Sequence, residues 1–244
     1  MDKRIAIITG AAKGIGKAIA QRMVIDNFIT ILVDIDKKNG EYLAQELGDN
    51  AKFIACDISN ETEVDLLFKS VVNKYRAVDI VVNNAGIISD NVIWKMPVED
   101  FDKVIEVNLK GTWLMCKAAG TLMRDQKRGR IINIASRAWL GNRGQSNYSA
   151  SKAGVVGLTR VLALELGKYG VLVNAIAPGL IDTPLTQKLP KDIREELIRA
   201  QPTKTMGQPE DIANTVSFLS DENTNFITGQ TIYVDGGKSI GAGA

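Results

Sequence analysis

Ile5-Ala-Ile-Ile-Thr9-Gly10-Ala-Ala-Lys13-Gly14-Ile15-Gly16 joins a β-branched run directly to a glycine-rich turn. Beyond the turn, Ile15, Ala18, Ile19 and Met23 recur at i, i+3, i+4 and i+8, the spacing of one helix face. A strand, a glycine turn and a helix in that order form the setting in which a dinucleotide pyrophosphate is held. Glycine lets the backbone approach phosphate oxygens, and a helix N-terminus offers free N–H groups and the positive end of its dipole. Gly10, Lys13, Gly14, Ile15 and Gly16 are therefore candidate cofactor contacts. The spacing is G-x3-G-x-G rather than G-x-G-x-x-G, so taken alone it also suits an ordinary tight βα turn.

Downstream the alternation continues. Ile29-Thr-Ile-Leu-Val33 reads as a second buried strand ending at Asp34, where an acid would hold an adenosine ribose. Such a carboxylate accepts from both ribose hydroxyls and repels a 2′-phosphate by an amount of order 4 kcal/mol at about 4 Å, before screening. NAD(H) is expected over NADP(H), with Lys13 as a mild hint the other way. Lys37–Leu47 has the pattern of an amphipathic helix, and Lys52–Ala55 that of a third strand running into Cys56-Asp57-Ile58. Asp57 suits the adenine amino group or a helix cap equally well. Val64, Leu67, Phe68, Val71 and Val72 form a helical stripe, and Val78–Val82 is a fourth strand leading into Asn83-Asn84-Ala85-Gly86. Strands alternating with helices imply right-handed βαβ units and a parallel sheet. A long helix is expected over Phe101–Lys127, with Asn108 inside it either interrupting the ladder or simply exposed. Ile131–Ile134 is a fifth strand that delivers Ser136 to its carboxyl end, the ligand edge of an open α/β sheet. Val171–Ala177 is a sixth, ending in Pro178-Gly179, and Thr231–Val234 a seventh. Residues 182–206 interrupt the alternation with Leu185, Leu189, Ile193, Leu197 and Ile198 among charges, which reads as a lid over substrate.

Between the fifth and sixth strands lies Ser136-Arg-Ala-Trp-Leu-Gly-Asn-Arg-Gly-Gln-Ser-Asn-Tyr148-Ser-Ala-Ser-Lys152. If Tyr148 opens a helix, Tyr148 and Lys152 stack one turn apart on one face. At roughly 5 Å and an effective dielectric of about 20, the ammonium would favour the phenolate by about 3 kcal/mol. The expected result is a phenol tuned toward neutrality, a proton donor in need of a partner.

Composition removes the rivals. The chain has 244 residues and no histidine, so a Ser-His-Asp triad and His-ligated metal sites are excluded, and no metal is expected. A net charge of +2, spread along the chain, gives no reason to expect nucleic acid or a membrane surface. No apolar run is long enough for a membrane span, and the N-terminus does not read as a signal peptide, which makes the expected compartment cytoplasmic. Cys56 and Cys116 have no spacing motif and read as small buried hydrophobes. With no repeat, linker or composition shift, residues 1–244 read as a single domain with 182–206 as its lid.

Thr-Gly-x3-Gly-x-Gly, Asn-Asn-Ala-Gly, an interior Asn, a Ser, Tyr-x3-Lys and Pro-Gly follow one another along the strand ends. In that order they resemble the short-chain dehydrogenase/reductase family over essentially the whole chain. Asn142-x-Gly144-Gln145-x-Asn147-Tyr148 and Tyr233-Val-Asp-Gly-Gly237 are similar to the 3-oxoacyl-[acyl-carrier-protein] reductase-like branch. The resemblance implies an α/β, Rossmann-type doubly wound, seven-stranded parallel sheet with helices on both faces. It implies an NAD(P)-dependent ketone/secondary-alcohol oxidoreductase with Tyr148 as acid/base and Lys152 lowering its pKa while binding the nicotinamide ribose. Ser136 would bind the substrate oxygen and Asn108 would anchor a water linking Lys152 to solvent. Asn84, Ala85 and Gly86 would lie beside the adenosine-side ribose, with Asp57 and Ile58 near the adenine. Pro178, Gly179, Ile181 and Thr183 would seat the nicotinamide amide. The family is usually homotetrameric through helices around 100–126 and 148–168, where Ala153, Gly154 and Gly157 would permit close packing. Trp94, Trp139 and Leu140, with Gln145 and Leu185, are the expected substrate-facing residues. A small-molecule ketone or alcohol and an acyl thioester both suit that set, so a dehydrogenase of a cyclic or aryl secondary alcohol stays open beside the acyl reductase. A non-catalytic dinucleotide-binding regulatory protein would need none of Ser136, Tyr148 and Lys152.

Overall fold

Strands that are apolar up to their last residue can be buried on both faces, and β1 (Ile5–Thr9) and β4 (Ile80–Asn83) are buried throughout, with Thr9 and Asn83 at their carboxyl ends. With β2 (Ile29–Asp34), β3 (Ala51–Ala55), β5 (Gly129–Ile134), β6 (Val171–Pro178) and β7 (Thr231–Val234) they make one sheet in the order β3-β2-β1-β4-β5-β6-β7. All six pairings are parallel. The computed structural model describes residues 3–240.

The connecting helices are α1 (Gly14–Ile25), α2 (Lys37–Leu47), α3 (Glu61–Tyr75), α4 (Val98–Ile105), α5 (Thr112–Gln126), α6 (Ser146–Leu166), α7 (Lys191–Arg199) and α8 (Pro209–Ser220). They cover the sheet in two layers. Ile19, Met23, Leu43, Ile212 and Val216 of α1, α2 and α8 pack with Ile8 and Leu32 on one face. Val64, Leu67, Leu114, Met115 and Leu166 of α3, α5 and α6 pack with Ile7 and Ile31 on the other. Successive residues of one strand, Ile7 and Ile8, therefore serve opposite cores, as strand geometry demands. The strand order reverses between β1 and β4, which opens a crevice beyond their carboxyl ends.

Two sequence expectations change. The helix expected over Phe101–Lys127 starts at Val98 and is broken by a π-helical turn at Glu106–Gly111. Asn108 sits in that turn and is fully buried, so the exposed alternative is overturned and the ladder interruption is the outcome. The helix expected to open at Tyr148 opens two residues earlier, at Ser146, which puts both Tyr148 and Lys152 inside it. Within 182–206 the chain forms a 3-10 turn at Thr186–Lys188 and then α7, none of whose residues is buried.

Candidate active site

The glycine loop is shaped by its neighbours across the crevice. Gly10 and Gly14 adopt φ of +63° and +56°, a left-handed backbone that a side chain would strain. A Cβ on Gly10 would also lie 2.8 Å from the Ala85 Cα, and one on Gly16 would lie 2.6 Å from the Asn84 amide nitrogen. Asn84 Nδ2 donates to the carbonyls of Thr9 and Gly10 at 3.0 and 3.1 Å, and Thr9 Oγ accepts from the backbone N–H of both Asn84 and Ala85 at 3.0 Å. The Asn83–Gly86 stretch thus clamps the loop to the end of β4. α1 starts with Lys13 as N-cap, has no side-chain cap and has no acidic residue in its first turn. Its N–H groups and dipole are left to an anion. Asp34 closes the other flank: its carboxylate accepts from Ala12 N–H and Asp36 N–H, both at 3.0 Å. Across the crevice, the Cβ that Gly14 lacks would lie 3.8 Å from Thr183. Bare N–H groups, glycines that admit no side chain and an acid beside the loop fit a nicotinamide dinucleotide.

From this loop a cleft of about 910 Å³ runs along the ends of β4, β5 and β6. Lys13, Ile15, Asn84 and Gly86 line it at the loop end; Ser136, Tyr148, Lys152 and Gln145 line the middle. Pro178, Gly179, Ile181, Thr183 and Leu185 form the facing wall. Ser136 has an extended backbone, and its Oγ accepts from Ala138 N–H at 3.1 Å, which leaves the hydroxyl proton free to donate. It faces the same cleft as the Tyr148 phenol. The Lys152 ammonium lies 5.6 Å from the Tyr148 ring centre and donates to the Ile134 carbonyl at 2.8 Å. Asn108 Oδ1 accepts from Ile87 N–H at 2.8 Å, and its Nδ2 donates to Ile87 C=O at 2.9 Å and to Ser151 Oγ at 3.3 Å. The Cβ absent from Gly86 would lie 3.2 Å from Asn108 Oδ1 and 3.6 Å from Lys152 Nζ, so glycine there lets the two groups share one space.

The electrostatics differ from the sequence expectation. Burial pushes the Tyr148 phenol above its ordinary pKa, with the Ser136 hydroxyl opposing and Asp90 adding to the rise. Burial pushes Lys152 down to about 8. Both groups lose hydration on entering the site, and this desolvation outweighs the attraction that was to favour the phenolate. The chain by itself therefore holds a neutral phenol, a proton donor at neutral pH.

Other expected site residues fall elsewhere. Asp57 is exposed, and its Oδ1 accepts from the N–H and Oγ of Ser59; the helix cap is Asn60. Ile58 is buried under Gly111. Trp94 is 75% exposed on a 3-10 turn and does not line the cleft. Trp139 packs against the Ala135, Val155 and Val156 cluster beneath α6, with its indole N–H buried and unpartnered. The tryptophan-lined pocket is thus not formed: one ring lies on the surface and the other, half-buried, packs against Ala135, Val155 and Val156. Leu140 lines a neighbouring cavity of about 840 Å³ that shares Leu180, Ile181 and Gln201 with the cleft. Gln145 is held by Asp90 and Asn142, at 2.9 Å each. Residues that the sequence reading passed over, Arg137, Arg143 and Lys238, also line the cleft. The only sequence signal for the two arginines was adjacency to Ser136 and to the Gly144-Gln145 turn, and for Lys238 its place directly after Asp235-Gly-Gly237.

A family model described as Enoyl-(Acyl carrier protein) reductase matches residues 10–239. The chain belongs to the short-chain dehydrogenase/reductase family. This short-chain dehydrogenase/reductase is 44% identical to the (2S)-[(R)-hydroxy(phenyl)methyl]succinyl-CoA dehydrogenase subunit BbsD of Thauera aromatica, across 100% of this chain and 99% of that one. It is 43% identical to the 3-oxoacyl-[acyl-carrier-protein] reductase of Synechocystis, across 97% of each. The crystal structure of levodione reductase superposes with a TM-score of 0.93 at 33% identity, across 98% of each chain. The protein is accordingly an oxidoreductase that interconverts a ketone and a secondary alcohol, and the family implies a nicotinamide dinucleotide. Among the described residues, no helix is long and apolar enough to cross a membrane.

Proposed function

We propose that the enzyme is an NAD-preferring 3-oxoacyl thioester reductase-like enzyme, working on acyl-carrier-protein or CoA esters, with Tyr148 as its acid/base. The observation that carries this reading is the meeting of Ser136, Tyr148 and Lys152 at the β5–α6 edge, in one cleft with the glycine loop. When bound, the dinucleotide supplies or accepts the hydride at the carbonyl carbon. The residues manage the oxygen. In reduction the Tyr148 hydroxyl gives its proton to the carbonyl oxygen while the Ser136 hydroxyl donates a second hydrogen bond to it. Lys152, anchored to Ile134 C=O, keeps further N–H donors for a ribose hydroxyl, and Asn108 anchors a water that returns the proton from solvent. In oxidation the same groups act in reverse.

Asp34 supports NAD over NADP, because its carboxylate is fixed to Ala12 in the glycine loop, where a 2′-phosphate would meet it. Glycine loop, Asn84–Gly86 stretch and the 178–183 wall are read as the dinucleotide's contacts; Asp57 can join them through Oδ2, since its turn with Ser59 uses only Oδ1. The acyl thioester reading is favoured over a free cyclic or aryl alcohol because the Thauera and Synechocystis relatives are named for a CoA ester and an acyl-carrier-protein ester, the first of which also carries an aryl carbinol, and because the tryptophans do not form a pocket. Residues 182–206 are read as the lid of a single catalytic domain, with Leu185 reaching the cleft. Ala153, Gly157, Val161 and Leu164 form an exposed stripe along α6, which supports a homotetramer; Gly154 does not belong to it, since its missing Cβ would lie 2.8 Å from Leu109 of the same chain. A cytoplasmic site of action goes with this reading. The test is a spectrophotometric comparison of NADH and NADPH against acetoacetyl thioesters, cyclic ketones and aryl ketones. Fastest turnover of a thioester with NADH is expected; a clear preference for a plain cyclic ketone would overturn the acyl assignment.

A further inference from the structure

The chain carries 30 basic and 28 acidic residues, yet the cleft is lined by five bases and no acid. Lys13 and Lys152 belong to the dinucleotide loop and the proton chemistry. Lys238 is engaged with the carbonyl of Ala200 at 3.0 Å. Arg137 and Arg143 remain without a task. They flank the reacting centre in sequence, one directly after Ser136 and the other within the turn that leads to Tyr148. Neither forms an ion pair among the described residues. Arg137 is half-buried, and its Nε is fully buried with no hydrogen-bond partner. A buried guanidinium nitrogen without an acceptor is costly to keep, so an acceptor arriving with a ligand would relieve that cost. The nearby carboxylate, Asp90, is taken up by Gln145 at 2.9 Å and does not line the cleft.

We propose that Arg137 and Arg143 bind an anionic group carried by the substrate beyond its reacting carbonyl. This rests on the ketone/alcohol reading of the same cleft and specifies its substrate class: a ketone bearing a carboxylate, or one whose thioester arm brings phosphates. Guanidinium groups bind both anions through paired N–H donors, so the chemistry is shared and the source is an experimental question.

Two substrate pairs separate the sources. 4-Oxo-4-phenylbutanoate and its methyl ester differ only in a carboxylate. Acetoacetyl-4′-phosphopantetheine and acetoacetyl-pantetheine differ only in a phosphate. In the intact enzyme, kcat/KM for the charged member of one pair is expected to exceed that of its neutral mate by roughly tenfold or more, mainly through KM. Arg143→Gln and Arg137→Gln should each collapse that ratio toward one, and Arg137→Lys should restore part of it. Arg143 is exposed, so its variant reads the idea even if Arg137→Gln folds poorly. A ratio carried by the first pair assigns the carboxylate; one carried by the second assigns the phosphate. Equal kcat/KM within both pairs, or a ratio untouched by either glutamine variant, would overturn the arginine assignment. The outcomes are separable from the acyl reading. Arginine-dependent turnover of the free keto acid with inert thioesters sinks the thioester assignment alone, whereas rapid thioester turnover with no arginine dependence sinks this proposal alone.

Discussion

The two walls of the cleft are built by opposite means. On one wall, Ser136, Tyr148 and Lys152 project from a strand end and a helix that pack on the sheet, with Asn108 buried behind them, and the polar atoms of Asn108, Ser136 and Lys152 are tied to backbone. On the other, the 182–206 segment leaves Leu185, Ile193 and Leu197 more than a third exposed and buries none of the residues of α7. Proton chemistry requires donors fixed to a fraction of an ångström, and desolvation then shifts their pKa values. Substrate selection tolerates, and benefits from, a wall that moves. On the proposed reading, the rigid wall carries the reaction and the exposed wall, with the basic loop before Tyr148, carries the choice of molecule.

The sharpest way to break that division is Tyr148→Phe. If the rigid wall owns the chemistry, turnover falls by roughly 10²–10⁴-fold or more, since no neighbouring acid can replace the phenol. Dinucleotide affinity, measured by calorimetry, should change little. An active variant would transfer the proton role elsewhere.

Lys152→Met probes the cost of the same rigidity. Burial holds the folded lysine pKa near 8, below its ordinary 10.5. The unfolded chain therefore binds more protons than the folded one between these values, and wild-type stability should rise with pH across that window. Below about pH 8 both states are protonated and the penalty is constant. Urea unfolding of wild type and variant from pH 7 to 10.5 should show a difference that grows by a few kcal/mol, on the order of 3, in favour of the wild type. A pH-independent difference would mean that the ammonium is hydrated in the folded chain.

Asn108→Ala tests the π turn. It removes the partners of both Ile87 backbone groups at once, a loss of about 2 kcal/mol in unfolding free energy if one is left unsatisfied. Because Ile87 lines the cleft beside Gly86, kcat should fall as well. Asn108→Asp, which keeps one acceptor for Ile87 N–H, should recover part of the stability.

At the dinucleotide end the expected effect is smaller. Asp34→Ala removes the carboxylate that a 2′-phosphate would meet, and the NADH/NADPH ratio of kcat/KM should drop by about tenfold, screened as it is by solvent at a half-buried site. Ala12 N–H loses its acceptor in the variant, so KM for both cofactors should rise together. An unchanged ratio would show that another residue selects the cofactor.

Legibility in the sequence followed the same division. Seven parallel strands, the glycine turn and the Tyr148–Lys152 pairing were readable because strand burial and helix periodicity are local patterns. Asn108 was ambiguous, since whether a helix interior opens into a π turn depends on Ile87 across the crevice and not on its own neighbours. The direction of the Tyr148 shift was misread because Coulomb attraction can be estimated from i, i+4 spacing, whereas desolvation depends on how deeply the whole helix is packed. The tryptophans misled for a related reason. Their side chains are large enough to be core or wall, and only the turn after Ser136 decides that Trp139 goes inward while Arg137 lines the cleft.

Trp94 offers the mildest test and the one most specific to the exposed side. Were it part of the substrate wall, truncation would cost a large fraction of binding energy, because an indole buries more area than any other side chain. It lies outside the cleft and is mostly exposed, so Trp94→Ala should alter kcat/KM for acetoacetyl thioesters by less than about twofold and stability by less than about 0.5 kcal/mol. Leu185→Ala, on the lid and lining the cleft, should raise KM several-fold in the same assay. If Trp94 proved the more sensitive of the two, the 3-10 turn that carries it would have to close over the cleft during turnover. The proposed lid would then include residues 93–95 as well as 182–206.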